Sequence, residues 1–241
     1  MENKYEEIIT MVTASVSIIG DSALVFSAED SRSLREKYGI AGILTGTLPI
    51  APQQSLLLGV PLRLSVEEVL YLYEKKAIEF AGAIDTDCSN PTAADSDGGF
   101  YETPNSITTT VSPDQETLLY EYVCAQEQDM DEIYRTYCVF KKLKQYGQFI
   151  LPGLRFGGKF VSYPGDPLKY HSHFIVNTKN YYSDKLDLME LTKGGRLATN
   201  VKKIWLLAGE KGISRNHKDG LSFLKQETRT VLFSIEWSGF G

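Results

Sequence analysis

The chain has 241 residues, 42% of them hydrophobic and 11% aromatic, which is enough to bury an ordinary core in one large or two small domains. No apolar run approaches the roughly 18 residues needed to cross a bilayer, and the opening Met1-Glu-Asn-Lys-Tyr-Glu-Glu is acidic where a secretory signal would be positive, so a soluble intracellular protein is expected. A formal charge of −6 would speak against a nucleic-acid partner, yet residues 1–134 hold 7 Lys and Arg against 23 Asp and Glu, and residues 135–241 hold 18 against 8; the basic second half has the electrostatic footprint of a phosphate-binding domain, or of an ordinary surface of solvated lysines.

In chain order, Ala14-Ser-Val-Ser-Ile-Ile and Ser22-Ala-Leu-Val-Phe read as a hairpin around Gly20-Asp21. Ser27 to Tyr38 has a helix entry, with Glu29 and Asp30 early, Arg35 and Lys37 late, and Gly39 as the stop. Ser65 opens a second helix with Glu68 three residues on, a capping box, and Val69, Leu70 and Tyr73 give it an apolar stripe. Residues 1–82 are therefore expected to form a small α/β domain. From 83 to 115 the chain is acidic, small and turn-rich, without Lys or Arg between Lys76 and Arg135; too little apolar area is available to offset ordering entropy, which reads as a flexible linker or as an acidic peptide for a basic partner. The remainder, 116–241, is expected to form a second, mixed-sheet domain. It starts with a helical stretch from Thr117 to Gln145, ending in Lys141, Lys142 and Lys144. Strands are expected on either side of Gly157-Gly158, from Gly153 to Tyr163, and again at His171-Ser-His-Phe-Ile-Val. A helix from Leu186 to Ala198 carries an awkward Gly194-Gly195. Lys202-Lys-Ile-Trp-Leu-Leu-Ala and Thr230 to Trp237 close the chain as strands; the last could be internal or could offer an edge to a partner.

Three cysteines, Cys88, Cys124 and Cys138, show no Cys-x-x-Cys spacing, so a disulfide framework or a zinc site is not expected. Any imidazole chemistry must use His171, His173 or His217, and His217 stands in a polar loop. His171 and His173, two apart in extended chain, share a face. Tyr163 stands eight residues before His171, across the stiff loop Pro164-Gly-Asp-Pro-Leu, and Lys202-Lys203 enters a later strand. Tyrosine, histidine and lysine together suit cleavage of RNA by its own 2′-hydroxyl. The imidazole can donate a proton near neutral pH, a tyrosine whose pKa is lowered by an adjacent lysine can accept one, and an ammonium can hold the charge that develops on phosphorus. No metal or other cofactor is called for, and no carboxylate cluster in the sequence suits one. Spacing alone also fits an interface histidine pair and a plain Tyr-Pro-Gly turn.

The run Gly153-Leu-Arg-Phe-Gly-Gly-Lys-Phe-Val-Ser-Tyr-Pro-Gly-Asp-Pro-Leu-Lys-Tyr-His-Ser-His-Phe resembles the central catalytic motif of tRNA-splicing endonucleases. Tyr38-Gly-Ile-Ala-Gly-Ile-Leu-Thr-Gly-Thr-Leu-Pro, Ala51-Pro-Gln-Gln and Pro61-Leu-Arg-Leu-Ser-Val-Glu-Glu-Val are similar to the N-terminal signature of the eukaryotic subunit assigned to the 3′ splice site. Gly195-Arg-Leu-Ala-Thr-Asn-Val-Lys-Lys resembles the segment with the family's third catalytic residue. The resemblance implies a small N-terminal α/β domain and a C-terminal nuclease-like α/β domain. It implies Tyr163 as general base, His171 as general acid and Lys203, last in its Val-x-Lys run, as the catalytic lysine, with Lys202 the alternative one residue away; His173 falls on a non-catalytic position. It further implies a precursor-tRNA substrate, products with 2′,3′-cyclic phosphate and 5′-hydroxyl ends, and no cofactor. The assembly implied is a heterotetramer with structural subunits and a second catalytic subunit, in which 230–237 could pair with a partner strand and a basic pocket would receive a partner's acidic loop. Residence in the nucleus is implied, or at the mitochondrial surface. The rival readings are a non-catalytic structural subunit of the same complex and an RNA-binding module.

Overall fold

The computed structural model describes residues 13–46, 58–81, 114–126, 128–211, 221, 224 and 229–238. Turn and cap chemistry sets the first elements. β1 (Ala14–Ile19) and β2 (Ser22–Val25) pair antiparallel with Ile19 opposite Ser22. α1 (Ala28–Tyr38) begins where the Ser27 hydroxyl accepts the Asp30 N–H at 3.1 Å, and stops where Gly39 takes a left-handed φ of 61°, a conformation that costs glycine nothing. Two strands that the sequence does not announce follow, β3 (Ile43–Gly46) and β4 (Gly59–Leu64). α2 (Val66–Glu74) opens with the expected capping box: the Glu68 N–H donates to the Ser65 hydroxyl at 3.3 Å, and the Ser65 N–H donates to the Glu68 carboxylate at 2.9 Å. β5 (Ile78–Ala81) lies parallel to β1, completing a sheet in the order β3-β4-β2-β1-β5.

The stretch expected as one helix from Thr117 to Gln145 is two, α3 (Gln115–Cys124) and α4 (Met130–Gln145). Between them Gln126, Glu127, Gln128 and Asp129 offer nothing to bury, and Asp129 starts a fresh N-terminus with Asp131 and Glu132 in its first turn. α3 docks on the first sheet: the Phe80 N–H donates to the Gln115 side-chain oxygen at 2.7 Å, and the Gln115 amide donates back to the Phe80 carbonyl at 3.1 Å. Residues 83–113 of the stretch read as a linker lie outside the described residues, as do Cys88, His217 and Ala51-Pro-Gln-Gln.

The second sheet runs β10-β9-β8-β7-β6, from β6 (Phe149–Pro152), β7 (Phe160–Tyr163), β8 (Phe174–Asn180), β9 (Ile204–Glu210) and β10 (Thr230–Ile235). The hairpin expected across Gly157-Gly158 is present, but its first arm lies upstream of Gly153, and residues 153–159 are the connection, holding a 3-10 turn at Leu154–Phe156. β8 starts at Phe174 rather than at His171. β8 and β9 are parallel, so a crossover is required; α5 (Leu188–Asn200) supplies it. Gly194 and Gly195 stay helical because α5 lies close against β9: a Cβ on Gly194 would stand 2.5 Å from the Trp205 ring.

Side chains of β8 and β9 alternate between two layers. Val176, Leu206 and Ala208 join α4, whereas Ile175 and Trp205 pack with Ala198 of α5 on the other face. Both faces being covered, β9 is buried from Trp205 to Glu210. The α4 layer is continuous with the first half: one apolar cluster runs from Ala14 and Val16 through Leu70 and Leu119 to Tyr137, Phe140 and Ala208. Each fully buried Val, Leu, Ile or Phe side chain in it contributes roughly 1.5–3 kcal/mol. At this seam the Tyr71 and Phe140 rings meet edge to face at 5.9 Å. Tyr137 donates its hydroxyl proton to Glu74, and Lys141 pairs with the same carboxylate at 2.8 Å.

Candidate active site

Backbone register brings the candidate residues to one end of the second sheet. Ser162 of β7 pairs with Phe174 of β8, which pairs with Ile204 of β9. One step outward stand Tyr163, His173 and Lys203, in a row across three strands. The His173 backbone joins them: its N–H donates to the Ser162 carbonyl and its own carbonyl accepts from the Ile204 N–H, each at 2.9 Å. Strands lie about 4.8 Å apart, so the outer members of the row are on the order of 10 Å apart along the sheet. Ser162 and Phe174 belong to the α4 face: Ser162 is buried and donates to the Gln148 side chain at 2.9 Å, and Phe174 packs on the main core. Strand alternation then turns the row toward the α5 face. The Lys203 ammonium lies there, 5.1 Å from the centre of the Phe156 ring, which packs on the Ile175–Ala198–Trp205 cluster.

His171 lies two residues beyond the row, outside the strand. Burial alternates through it, with His171 and His173 exposed and Ser172 buried between them, and the strand on which the two were expected to share a face does not extend to them. The intervening loop winds around Asp166. Its carboxylate accepts the Leu168 N–H at 2.9 Å, and its carbonyl accepts the N–H groups of Lys169 and Tyr170 at 2.8 and 3.0 Å. Arg35 of α1 grips that carboxylate with two hydrogen bonds, Nε to Oδ2 at 3.0 Å and a terminal nitrogen to Oδ1 at 2.6 Å. The guanidinium hydrogen bond holds the Asp166 carboxyl down to about 2, so it stays ionised at any physiological pH. Sequence reading missed this contact. Arg35 and Asp166 lie 131 residues apart, and Arg35 passes for an ordinary basic residue in a helix's last turn.

The lysine pair is separated by how α5 ends. The Lys202 N–H donates to the Thr199 carbonyl at 3.1 Å and the Lys203 N–H to the Ala198 carbonyl at 2.8 Å, the two bonds of a Schellman motif. Lys202 occupies its left-handed position, with φ 55°, and is exposed; Lys203 is half-buried, one residue before β9. Lys169, two residues before His171, and Lys202, next to Lys203, are both exposed.

Residues 133–215, spanning the row, match the family model "tRNA intron endonuclease, catalytic C-terminal domain", and residues 14–82 match "TSEN34-like, N-terminal domain". The chain is 31% identical to the probable tRNA-splicing endonuclease subunit sen34 of Schizosaccharomyces pombe, over 94% of this chain and 98% of that one. It is 29% identical to the tRNA-splicing endonuclease subunit SEN34 of Saccharomyces cerevisiae, over 90% and 99%. A tRNA-splicing endonuclease of Pyrobaculum aerophilum is 26% identical over 91% of this chain and 96% of its own length. The chain belongs to the Sen34 family of tRNA-splicing endonuclease subunits.

Proposed function

We propose that this subunit cuts precursor tRNA at the 3′ splice site by metal-independent acid–base catalysis. Tyr163, as the phenolate, takes the proton of the nucleotide's 2′-hydroxyl; the 2′-oxygen bonds to phosphorus as the bond from phosphorus to the 5′-oxygen breaks; His171, as the imidazolium, protonates the departing 5′-oxygen. The products are a 2′,3′-cyclic phosphate and a 5′-hydroxyl. Lys203 stabilises the negative charge gathered on the phosphoryl oxygens. The observation that carries this reading is the register row, which sets the ends of β7, β8 and β9 side by side and brings Tyr163 and Lys203 onto one face. All three chemical roles are filled by this chain's own side chains, so no step requires a metal ion.

The acid has a second reading. His173 stands in the row itself, between Tyr163 and Lys203, whereas the resemblance assigns His171. The two are separated by replacing each with Ala in the reconstituted complex. His171→Ala should abolish the 3′ cut while leaving precursor tRNA bound, and His173→Ala should cut within a few-fold of the parent. The reverse pattern would transfer the role to His173. End-group analysis of the products, repeated in excess chelator, checks the chemistry; activity lost to chelator and restored by divalent metal would sink it.

The assembly proposed is a heterotetramer with structural subunits and a second catalytic subunit that makes the 5′ cut, acting in the nucleus. β10 supports the partner reading. It pairs with β9 on one side, and no described strand lies on its other side. Phe233 on it is 52% exposed and Trp237 just beyond it 43%, an apolar edge suited to strand addition.

A further inference from the structure

We propose that Arg35, in the N-terminal half, is a positioning residue for the cleavage site: its fork on Asp166 holds the turn from Pro164 to Tyr170 and so sets His171 against Tyr163. The inference rests on the reading of Tyr163 and His171 given above and adds a residue that the reading does not contain.

Three observations carry it. First, the contact is bidentate, at 3.0 and 2.6 Å, and both side chains are about three-quarters covered, with 28% and 26% of their surfaces exposed; Arg–carboxylate forks of this kind fix geometry as well as charge. Second, Asp166 is the hub of the turn, accepting from Leu168, Lys169 and Tyr170. The Tyr170 ring closes over Gly165, where a Cβ would stand 2.7 Å away, so moving Asp166 moves the residue next to His171. Third, Arg35 stands on an anchored platform. The Lys144 ammonium of α4 donates to the Gly39 carbonyl at 2.9 Å, one turn from Arg35, and Leu34 beside it is 1% exposed. Arg35 also neutralises a carboxylate three residues from Tyr163 and five from His171, where the scissile phosphate must approach. Without it, the carboxylate would keep only the Leu168 N–H and the charge of Lys169 as partners.

The test uses the assembled complex with an intron-containing precursor tRNA, measuring single-turnover rates of both cuts and the Kd for the precursor. Arg35→Ala should slow the 3′ cut about 10- to 100-fold, as a displaced catalytic group does, with the 5′ cut and the Kd within about threefold. Arg35→Lys, which keeps the charge but not the fork, should restore the rate only in part. In an Asp166→Asn background the Arg35→Ala change should have little further effect. A 3′ rate within threefold of the parent would overturn the proposal, and so would an equal fall in both cuts, which marks Arg35 as an assembly residue. If Arg35→Ala does not assemble, the near-isosteric Asp166→Asn takes its place under the same criteria. His171→Ala and Tyr163→Phe are run alongside. Cutting that survives them overturns the site reading and this inference together, whereas cutting lost in them but unchanged in the Arg35 variants overturns this inference alone.

Discussion

Among the described residues four helices end in the same backbone conformation and differ in the residue that adopts it, glycine after α1 and α4 (Gly39, Gly147) and lysine after α2 and α5 (Lys76, Lys202). α1 ends with Gly39 at φ 61°, and α5 passes through Lys202 at φ 55° before releasing Lys203 into β9. At Gly39 the left-handed turn is free of steric cost, and its carbonyl is held by the half-buried Lys144 ammonium, which desolvation pushes down to about 8. At Lys202 the same geometry costs about 1–2 kcal/mol for a side-chain-bearing residue. α2 bears the same cost at Lys76, φ 55°, with no proposed catalytic residue after it, so a lysine in this position does not by itself mark a site.

The comparison can be broken most decisively at Lys203. Lys203→Ala should lower the single-turnover rate of the 3′ cut by about 10²–10³-fold, the usual loss when a transition-state charge partner is removed, with precursor binding nearly intact. Should that variant cut normally, the distinction drawn between the two lysines is wrong. A smaller effect is expected at the other helix end. Gly39→Ala adds a Cβ in a left-handed position, 2.8 Å from the Lys144 Nζ, and should cost about 1–2 kcal/mol in denaturant unfolding of the assembled protein. An unchanged midpoint would mean that α1 can end differently. The smallest effect is a gain. Lys202→Gly relieves the left-handed strain but loosens the unfolded chain, so a net stabilisation of about 0.5–1 kcal/mol is expected. That is a melting rise of about 2–4 °C at most for a chain of this size, with cutting retained. If Lys202→Gly abolished cutting, Lys202 would replace Lys203 as the lysine at work.

What could be read from the sequence was what local chemistry decides. The hairpin at Gly20-Asp21, the Ser27 cap, the Gly39 stop and the Ser65–Glu68 capping box each depend on residues within four positions of one another, and each stands where expected. Elements decided by distant neighbours were not legible. β3 takes strand form in pairing with β4, and β4 in pairing with β3 and β2. The helix around Gly194-Gly195 was legible, but the reason the pair is tolerated was not, because the indole it accommodates comes from a later strand. At the site, the motif led to Tyr163, His171 and the lysine pair, but not to how they are held. The register that puts His173 in the row, the left-handed turn that separates Lys202 from Lys203, and the fork from Arg35 all arise from chain segments that meet only after folding.

The apolar seam between α2 and α4 has a consequence for anyone who would dissect this molecule. Excising the catalytic half at the start of α4 would leave Phe140 without Tyr71 and Tyr137 without Glu74, and would strip Asp166 of its arginine. Such a fragment would keep every residue that the motif names, yet present a sticky hydrophobic flank and an untethered loop. The acidic half is thus better understood as part of the second half's own wall than as a detachable adaptor.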